Sequence, residues 1–241
     1  MREFSLPALY EVPSDGNLTD LIRRNAAQHP DVAVMSRKVA GVWTDVTAVQ
    51  FLAEVRSVAK GLIAAGIEPG DRVALMSRTR YEWVLLDFAI WSAGAVTVPV
   101  YETSSPEQVQ WILGDSGAVA VLVESDTHAA AVASVRDRLP GLRHVWQIEK
   151  GAVDTLRAEG EGVFEETVDL RSAAAGADDP ATIVYTSGTT GRPKGCVLTH
   201  RSFFAECGNV VERLKPLFRT GECSVLLFLP AAHVFGRLVE V

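Results

Sequence analysis

Short apolar segments alternate with helix-forming segments through the middle of the chain, and this alternation limits the fold more than any other feature. Four apolar runs have the length of strands: 73–76, 96–100, 119–123 and 144–148. Three segments between them have the helical spacing of apolar residues: 81–93, 106–113 and 127–138. Such alternation is typical of parallel sheets, and strands without polar alternation are covered on both faces. We therefore predict an α/β fold with a doubly wound, largely parallel sheet and helices on both faces.

The chain before this alternation is predicted to be a separate segment, residues 1–50, with one helix and one hairpin. The helix covers 18–28, where apolar residues lie on one face, and the hairpin turns at Ala40-Gly41. Thr47 and Gln50 have the spacing of a capping box, which satisfies the first backbone donors of a helix. We therefore expect the next helix to begin directly after this segment.

The rest of the chain divides into two predicted parts. An α/β subdomain covers 51–215, and within it the acidic, alanine-rich stretch 151–179 is a connector with one or two short helices. The subdomain ends in a phosphate-binding loop and a helix over 202–214. Residues 216–241, with a strand over 224–229, are predicted to be the truncated start of a second α/β subdomain.

The segment 185–195 has the composition of a phosphate-binding loop. Hydroxyl side chains and glycines are interspersed in it, and one lysine adds a positive charge: Thr186, Ser187, Gly188, Thr189, Thr190, Gly191 and Lys194. Glycine lets backbone N–H groups approach an anion closely, and the hydroxyls and the ammonium group add further donors. An apolar run over 181–185 precedes the loop, which places it at the carboxyl end of a strand, where open α/β sheets bind ligands. We expect a nucleoside triphosphate as the ligand.

Spacing excludes the two best-known phosphate loops. The ATPase P-loop requires a Gly-Lys-Ser/Thr tripeptide, whereas Lys194 follows Pro193 and precedes Gly195. The dinucleotide fingerprint requires Gly-x-Gly-x-x-Gly after the first strand of the sheet, and no such motif is present.

Composition excludes several other classes of protein. The 241 residues are 48% hydrophobic with a net charge of -7, so the chain is globular and has no basic surface for nucleic acid. Cys196, Cys207 and Cys223 lack metal-binding spacing, and we interpret them as small core residues of a reduced protein. No apolar stretch near the N-terminus has the length of a signal peptide. These features predict a cytoplasmic protein.

Two motifs together resemble the adenylate-forming superfamily, which includes acyl-CoA synthetases, luciferase and peptide-synthetase adenylation domains. The phosphate loop is similar to the signature loop of that superfamily. Downstream, Leu229-Pro230-x-x-His233-x-Phe235-x-Arg237 resembles the motif of its long-chain fatty acid-CoA ligases, although Ala231 and Gly236 stand where leucine and glutamate are usual. Further similarity extends over 18–241. The resemblance therefore implies the large N-terminal domain of such an enzyme, in truncated form.

The resemblance also implies a two-step reaction. A fatty acid carboxylate attacks the α-phosphate of ATP to give an acyl adenylate and pyrophosphate, and the thiol of coenzyme A then displaces AMP. Lys194 and the loop residues are expected to bind the phosphates, and Thr186 to be the Mg²⁺ ligand. His233 is expected near the substrate carboxylate, as a catalytic residue together with Lys194. A loop histidine packed beside Phe235 is the alternative.

Three functions stay open on the sequence. The first is the N-terminal part of a long-chain fatty acid-CoA ligase, inactive by itself because later family motifs lie beyond residue 241. The second is a ligase of the same superfamily for an aryl, short-chain or amino acid. The third is a non-catalytic nucleotide-binding module. Self-association of the truncated chain and peripheral membrane contact are open too.

Overall fold

The computed structural model describes residues 7–186, 192–217 and 223–240. The helices are α1 (Thr19–Gln28), α2 (Ala48–Ala64), α3 (Tyr81–Ser92), α4 (Pro106–Ser116), α5 (Asp126–Ala133), α6 (Ala152–Glu159), α7 (Glu165–Ser172), α8 (His200–Arg213) and α9 (Val234–Glu240). The strands are β1 (Ala33–Val39), β2 (Val42–Thr47), β3 (Arg72–Met76), β4 (Val96–Val100), β5 (Ala118–Val123), β6 (His144–Gln147), β7 (Pro180–Thr186) and β8 (Lys194–Thr199). None of the described helices is long and apolar enough to cross a bilayer.

In the part of the chain that the structure describes, six strands form the main sheet, in the order β6-β5-β3-β4-β7-β8. The first five strands are parallel, and β8 runs antiparallel to β7 at the edge. Because β4 and β5 lie on opposite sides of β3, the strand order reverses there, as it does in doubly wound sheets. This topology confirms the predicted fold class.

Both faces of the sheet are covered by helices. Alternate residues of β3 belong to different cores, with Val73 and Leu75 on one face and Ala74 and Met76 on the other. The first face packs against α1, α2, α3 and α6, and the second against α4 and α5. These strands therefore lack polar alternation because both of their faces are covered, as the sequence predicted.

Helix α3 is buried along nearly its whole length. Its residues 83–92 are all buried, because neighbouring helices cover the sides that the sheet does not. Trp91 donates an indole hydrogen bond to the Ala181 carbonyl, 2.8 Å away, which ties α3 to the start of β7. Asp87 lies within this apolar helix and is fully buried as well. A charge in such a position requires a partner.

The predicted turns and caps are present at the start of the chain. The β1–β2 hairpin turns at Ala40 and Gly41, which both have positive φ, 49° and 85°. Thr47 accepts a hydrogen bond from the Gln50 backbone and the Gln50 side chain accepts one from the Thr47 backbone, so the capping box that begins α2 is formed. The connector 151–179 contains two short helices, as predicted.

Two predictions are wrong, and one strand was not predicted. The strand expected over 224–229 is absent, and residues 223–229 are irregular and mostly exposed, with no neighbouring strand for their backbone groups among the described residues. Strand β8 was not predicted, although it follows the phosphate loop directly. Cys196 and Cys223 are exposed rather than core residues. Cys196 lies on β8, which is an edge strand with an uncovered face.

His200 begins α8 and is almost completely buried, so it has a structural position rather than a catalytic one. Its Nδ1 atom accepts a hydrogen bond from the Leu18 backbone, 3.3 Å away, and its ring packs edge-on against Trp91. Burial is the main cause that lowers the pKa of His200 to about 4; the positive charge of Arg237 acts in the same direction, whereas Asp179 and Asp20 oppose the shift. The folded protein therefore holds this histidine neutral.

We predict that stability falls with acidification through His200. The unfolded chain, with a histidine pKa of 6.5, binds more protons than the folded state between pH 6.5 and about 4. His200 alone should therefore lower the free energy of unfolding by about 2 kcal/mol between pH 7 and pH 5. Urea unfolding at both pH values measures this loss.

The variant His200→Phe should be less stable at pH 7, because the Leu18 N–H loses its acceptor, but its stability should depend less on pH in this window. His29→Gln, at an exposed histidine, is the control. An equal pH dependence in His200→Phe and in the wild type would contradict the prediction.

Candidate nucleotide and carboxylate site

Polar residues lie at the ends of four strands, all at the carboxyl edge of the parallel sheet. Ser77 to Arg80 follow β3, Glu124 follows β5, and Thr186 ends β7. Strand β8 runs in the opposite direction, so Lys194, its first residue, lies at the same edge. Open α/β sheets bind their ligands at this edge. The fold therefore brings the ends of the predicted phosphate loop to the place where a ligand is expected.

The phosphate loop is closed by a pair of residues in the β7–β8 ladder. Thr186 is the ladder partner of Lys194, and both side chains are exposed. The hydroxyl and the ammonium group are thus available to a ligand at the base of the loop. Five other predicted binding residues lie outside the described residues: Ser187, Gly188, Thr189, Thr190 and Gly191.

Helix α4 holds both ends of the phosphate loop. Tyr185 donates a hydrogen bond of 2.6 Å to Asp115, and the Trp111 indole donates one of 2.8 Å to the Pro193 carbonyl. Arg192 lies over the Trp111 ring, 4.6 Å from its centroid. Burial and the hydrogen bond to Asp115 raise the pKa of Tyr185, so its hydroxyl remains a donor at neutral pH. Asp115 and Trp111 are one turn apart on α4, which fixes the spacing of the two hairpin ends.

A buried glutamate organises the residues that follow β3. Glu124 accepts hydrogen bonds from the Arg78 backbone at 2.8 Å, the Arg78 side chain at 2.9 Å and the Ser77 hydroxyl at 3.2 Å. Arg80 lies 3.7 Å from the same carboxylate. Burial alone would raise the pKa of Glu124, but the hydrogen bonds from Arg78 and Ser77 outweigh it and lower the pKa to about 2. Glu124 is therefore ionised, and it fixes the loop between β3 and α3.

The segment that carries His233 is attached to this loop. Thr79 donates a hydrogen bond to the Leu229 carbonyl at 2.6 Å and accepts one from the Ala231 backbone at 2.8 Å. His233 is exposed, and its Nδ1 atom accepts a hydrogen bond from the Phe235 backbone at 3.2 Å. The other ring nitrogen, Nε2, is then the protonated one in the neutral imidazole. His233 is thus in a position to donate a hydrogen bond to a ligand.

Arg237, the last residue of the same motif, is not exposed to a ligand at all. Its side chain and that of Asp87 are both fully buried, and they form an ion pair with an Nε–Oδ2 distance of 3.2 Å. The guanidinium lies 5.2 to 5.5 Å from the centroids of Trp91, Phe203 and Trp83. Arg237 therefore attaches α9 to α3.

The sequence did not identify Thr79, Asp87, Trp111, Asp115 or Glu124 as residues that support the site. One of them carries a signal in the sequence: Asp87 is the only charged residue in the apolar stretch from Trp83 to Ala95. A lone carboxylate in a helix that is apolar on all sides indicates a buried partner. The other four look like ordinary surface or loop residues, because their partners are distant in sequence.

Thr186 is the one residue predicted to bind Mg²⁺. In residues 7–186, 192–217 and 223–240, no cluster of three or more His, Cys, Asp and Glu side chains could hold a metal. Mg²⁺ often keeps several water ligands and binds through one or two protein oxygens together with substrate phosphates. One exposed hydroxyl beside the phosphate loop fits this chemistry, whereas a site made of protein ligands alone does not.

A family model described as AMP-binding enzyme matches residues 22–241. The chain belongs to the AMP-binding enzyme family. The match includes the β7–β8 hairpin and the His233 motif, so the phosphate loop lies within the matched part of the chain.

The similar proteins include ligases for long-chain fatty acids. Long-chain-fatty-acid–CoA ligase FadD15 of Mycobacterium bovis is 45% identical over the whole chain, which spans 40% of FadD15. Long-chain-fatty-acid–CoA ligase ACSBG1 of Bos taurus is 26% identical over 89% of the chain, and 31% of its own length is covered. The chain therefore spans less than half the length of these curated relatives.

Solved structures agree with the fold. The N-terminal domain of FACL13 from Mycobacterium tuberculosis is 26% identical and superposes with a TM-score of 0.72, over 93% of the chain and 54% of that structure. The anthranilate CoA ligase AuaEII in complex with anthranoyl-AMP is 25% identical with a TM-score of 0.68, over 82% of the chain and 36% of that structure. These similarities confirm the prediction that the chain has the fold of an N-terminal region of an adenylate-forming enzyme.

Gly236 is the residue where the motif departs from the glutamate usual in long-chain ligases. It is buried, and a Cβ atom added there would lie 2.4 Å from the Pro230 carbonyl oxygen and 2.9 Å from its carbonyl carbon. Real Cβ atoms do not approach backbone this closely. The local backbone of this chain therefore requires glycine at position 236.

We predict that Gly236→Ala destabilises the chain by about 1–3 kcal/mol, because the new methyl group forces the backbone at Pro230 to move. Thermal and urea unfolding measure the effect. Gly162→Ala is the matched control, since nothing lies within 4 Å of a Cβ atom at that position. Equal stability of the two variants would show that residues 230 and 236 are not packed as described.

Proposed function

We propose that the protein containing this chain is an AMP-forming long-chain fatty acid-CoA ligase that works in the cytoplasm. The observation that carries the proposal is the 45% identity to FadD15 over all 241 residues, including the phosphate loop and the His233 motif. The substrates would be a long-chain fatty acid, ATP and coenzyme A. The fold supports this function because Thr186 and Lys194 lie at one edge of the sheet, and the loop after β3 at that edge binds the backbone just before His233.

In this proposal the β7–β8 hairpin binds the triphosphate. Lys194 supplies a positive charge to the pyrophosphate that leaves, and the hydroxyl of Thr186 lies across the ladder from it. The remaining hydroxyls and glycines of the loop, Ser187 to Gly191, would complete the phosphate site with side-chain and backbone donors. Stabilising charge that develops on a leaving group is an effective form of catalysis, because the donors are fixed before the reaction.

His233 is proposed to contact the reacting carboxylate or the α-phosphate. Its exposure and the acceptor role of Nδ1 support this, because Nε2–H then faces away from the backbone. No protein nucleophile is needed, since the carboxylate itself attacks the phosphorus atom. The protein would act by orienting the carboxylate in line with the departing pyrophosphate and by excluding water. Mg²⁺, with Thr186 as a ligand, would supply additional charge neutralisation at the phosphates.

A second candidate is a ligase for an aromatic acid. The similarity to AuaEII, which is an anthranilate CoA ligase, supports it, because that structure superposes over 82% of this chain. The described residues that the proposal uses, the phosphate-loop ends and His233, would serve a ligase of either kind. The choice between the two substrates therefore requires an assay.

The deciding experiment is exchange of labelled pyrophosphate into ATP by the gene product that contains these 241 residues. A long-chain fatty acid, benzoate and acetate are compared, and the 241-residue chain alone is tested in parallel. Exchange with the long-chain acid alone supports the proposal, whereas exchange with benzoate alone supports the second candidate. No exchange with any acid would contradict both and favour a non-catalytic nucleotide-binding module.

We predict that Lys194→Ala in this gene product lowers kcat/KM for ATP about 100-fold, because the leaving pyrophosphate loses a fixed positive charge. Initial rates of pyrophosphate exchange at varied ATP concentration measure the change. Lys38→Ala is the control, since Lys38 lies on β1 with its ammonium group over the Trp43 ring. Equal rates for the two variants would remove Lys194 from the phosphate site.

A further inference from the structure

The exposed His233 lies between two attachment points, one in the loop before α3 and one on α3 itself. We call residues 229–237 the His233 segment. Thr79 binds the beginning of this segment, and Asp87 binds its end. Thr79 immediately precedes the cap of α3 and Asp87 lies two turns further along the same helix. One helix and the loop before it therefore fix both ends of the segment.

The attachment at Thr79 uses a single hydroxyl for two backbone groups. Its Oγ1 atom donates to the Leu229 carbonyl and accepts from the Ala231 N–H, so it spans Pro230, which has no N–H of its own. Thr79 is also adjacent to Arg78, which Glu124 holds through the backbone and the side chain. The position of the hydroxyl is thus determined by the buried carboxylate after β5.

The attachment at Asp87 reaches His233 through the first turn of α9. The Arg237 N–H donates to the His233 carbonyl at 3.2 Å, and the His233 N–H donates to the Pro230 carbonyl at 2.9 Å. Because these bonds join consecutive parts of the segment, a shift of Arg237 would shift His233 with it. The fully buried guanidinium, enclosed by Trp83, Trp91 and Phe203, cannot move without opening the core.

The ion pair is poorly explained as a stabilising contact. Asp87 Oδ1 and Arg237 Nη1 are both buried, and neither has a hydrogen-bond partner among the residues that the structure describes. A buried pair with unsatisfied atoms does not recover the cost of removing two charges from water, and its replacement by apolar residues is often neutral or stabilising. A charged pair does define one relative position of two helices, which apolar contacts do less sharply.

We propose that Thr79 and Asp87 are positioning residues for His233 in the adenylation reaction. They act through Leu229, Ala231 and Arg237, and neither touches the substrate. The inference rests on the proposed function, since it gives His233 the role of contacting the carboxylate or the α-phosphate. In this proposal, α3 and the loop before it fix the position of His233 relative to the substrate.

The first test is the double variant Asp87→Leu/Arg237→Met in the gene product that contains the chain. We expect a melting temperature equal to or above that of the wild type, but at least a tenfold loss of kcat/KM for the carboxylate substrate. KM for ATP should change less than twofold, because the phosphate loop is held separately by α4. Unchanged kcat/KM in a folded double variant would overturn the role of Asp87.

The second test uses Thr79, in case the double variant does not fold. Thr79→Val removes the hydroxyl and should reduce kcat/KM for the carboxylate at least tenfold, whereas Thr79→Ser should restore it to within threefold of the wild type. Thr19→Val is the matched control, because Thr19 is a buried threonine whose hydroxyl donates to Asn17 Oδ1 at 2.6 Å, at the start of α1 and away from the His233 segment. An equal loss in Thr19→Val and Thr79→Val, or no loss in Thr79→Val, would contradict the proposal.

A third readout does not depend on activity and separates this proposal from the proposed function. The imidazole ¹⁵N signals of His233 should show a single neutral tautomer with an unprotonated Nδ1 in the wild type. In Thr79→Val and in the double variant they should shift toward a tautomer average. If the wild type adenylates no acid but the signals change as described, the proposed function fails and the positioning stands. Identical signals in wild type and variants would contradict the positioning itself.

Discussion

The pairing of β4 with β7 is the contact on which the rest of the structure depends, because it joins parts of the chain that are 85 residues apart. Thr97 pairs with Thr182, and the Thr182 hydroxyl bonds the Thr97 carbonyl at 2.7 Å in a fully buried position. Trp91 adds its bond to Ala181 beside this pair. Since β7 carries Thr186 at its end, the pairing fixes where the phosphate loop leaves the sheet. Helix α4 then holds the two ends of the phosphate loop, at Tyr185 and Pro193.

Most of the fold was predictable because its signals are local. The apolar runs of β3 to β6, the helical periodicity between them and the Thr47–Gln50 capping box each depend on residues close in sequence. Strand β8 and the absence of a strand over 224–229 were not predictable in this way. Lys194 to Thr199 is polar at both ends and becomes a strand because it pairs with β7, whereas Val225, Leu226 and Phe228 are apolar but have no neighbouring strand among the described residues. Strand formation depends on a partner, and sequence patterns contain no information on that partner.

Within the candidate site, the sequence indicated only the exposed residues that belong to motifs. Thr186, Lys194 and His233 belong to motifs, and all three are exposed at or near one sheet edge. Their roles in binding and catalysis stay predictions. The division of the chain at residues 50 and 215 stays a prediction as well. The supporting residues were missed because each contact joins distant segments, such as Asp115 with Tyr185 and Thr79 with Leu229. Such contacts follow from the strand order rather than from any local pattern.

The motif around His233 combines two kinds of residue that sequence cannot distinguish. His233 is exposed and Arg237 is completely buried, although they are four residues apart and joined by a helical hydrogen bond. Gly236 completes the arrangement, since its lack of a Cβ atom lets α9 lie against the Pro230 carbonyl. A glutamate at this position would require a different backbone. The departure from the usual long-chain pattern therefore affects how α9 packs at Gly236 and Arg237, which are the buried residues beside the exposed His233. His233 is exposed, and Arg237 attaches α9 to the core, so the buried residues of the motif hold the backbone that presents His233.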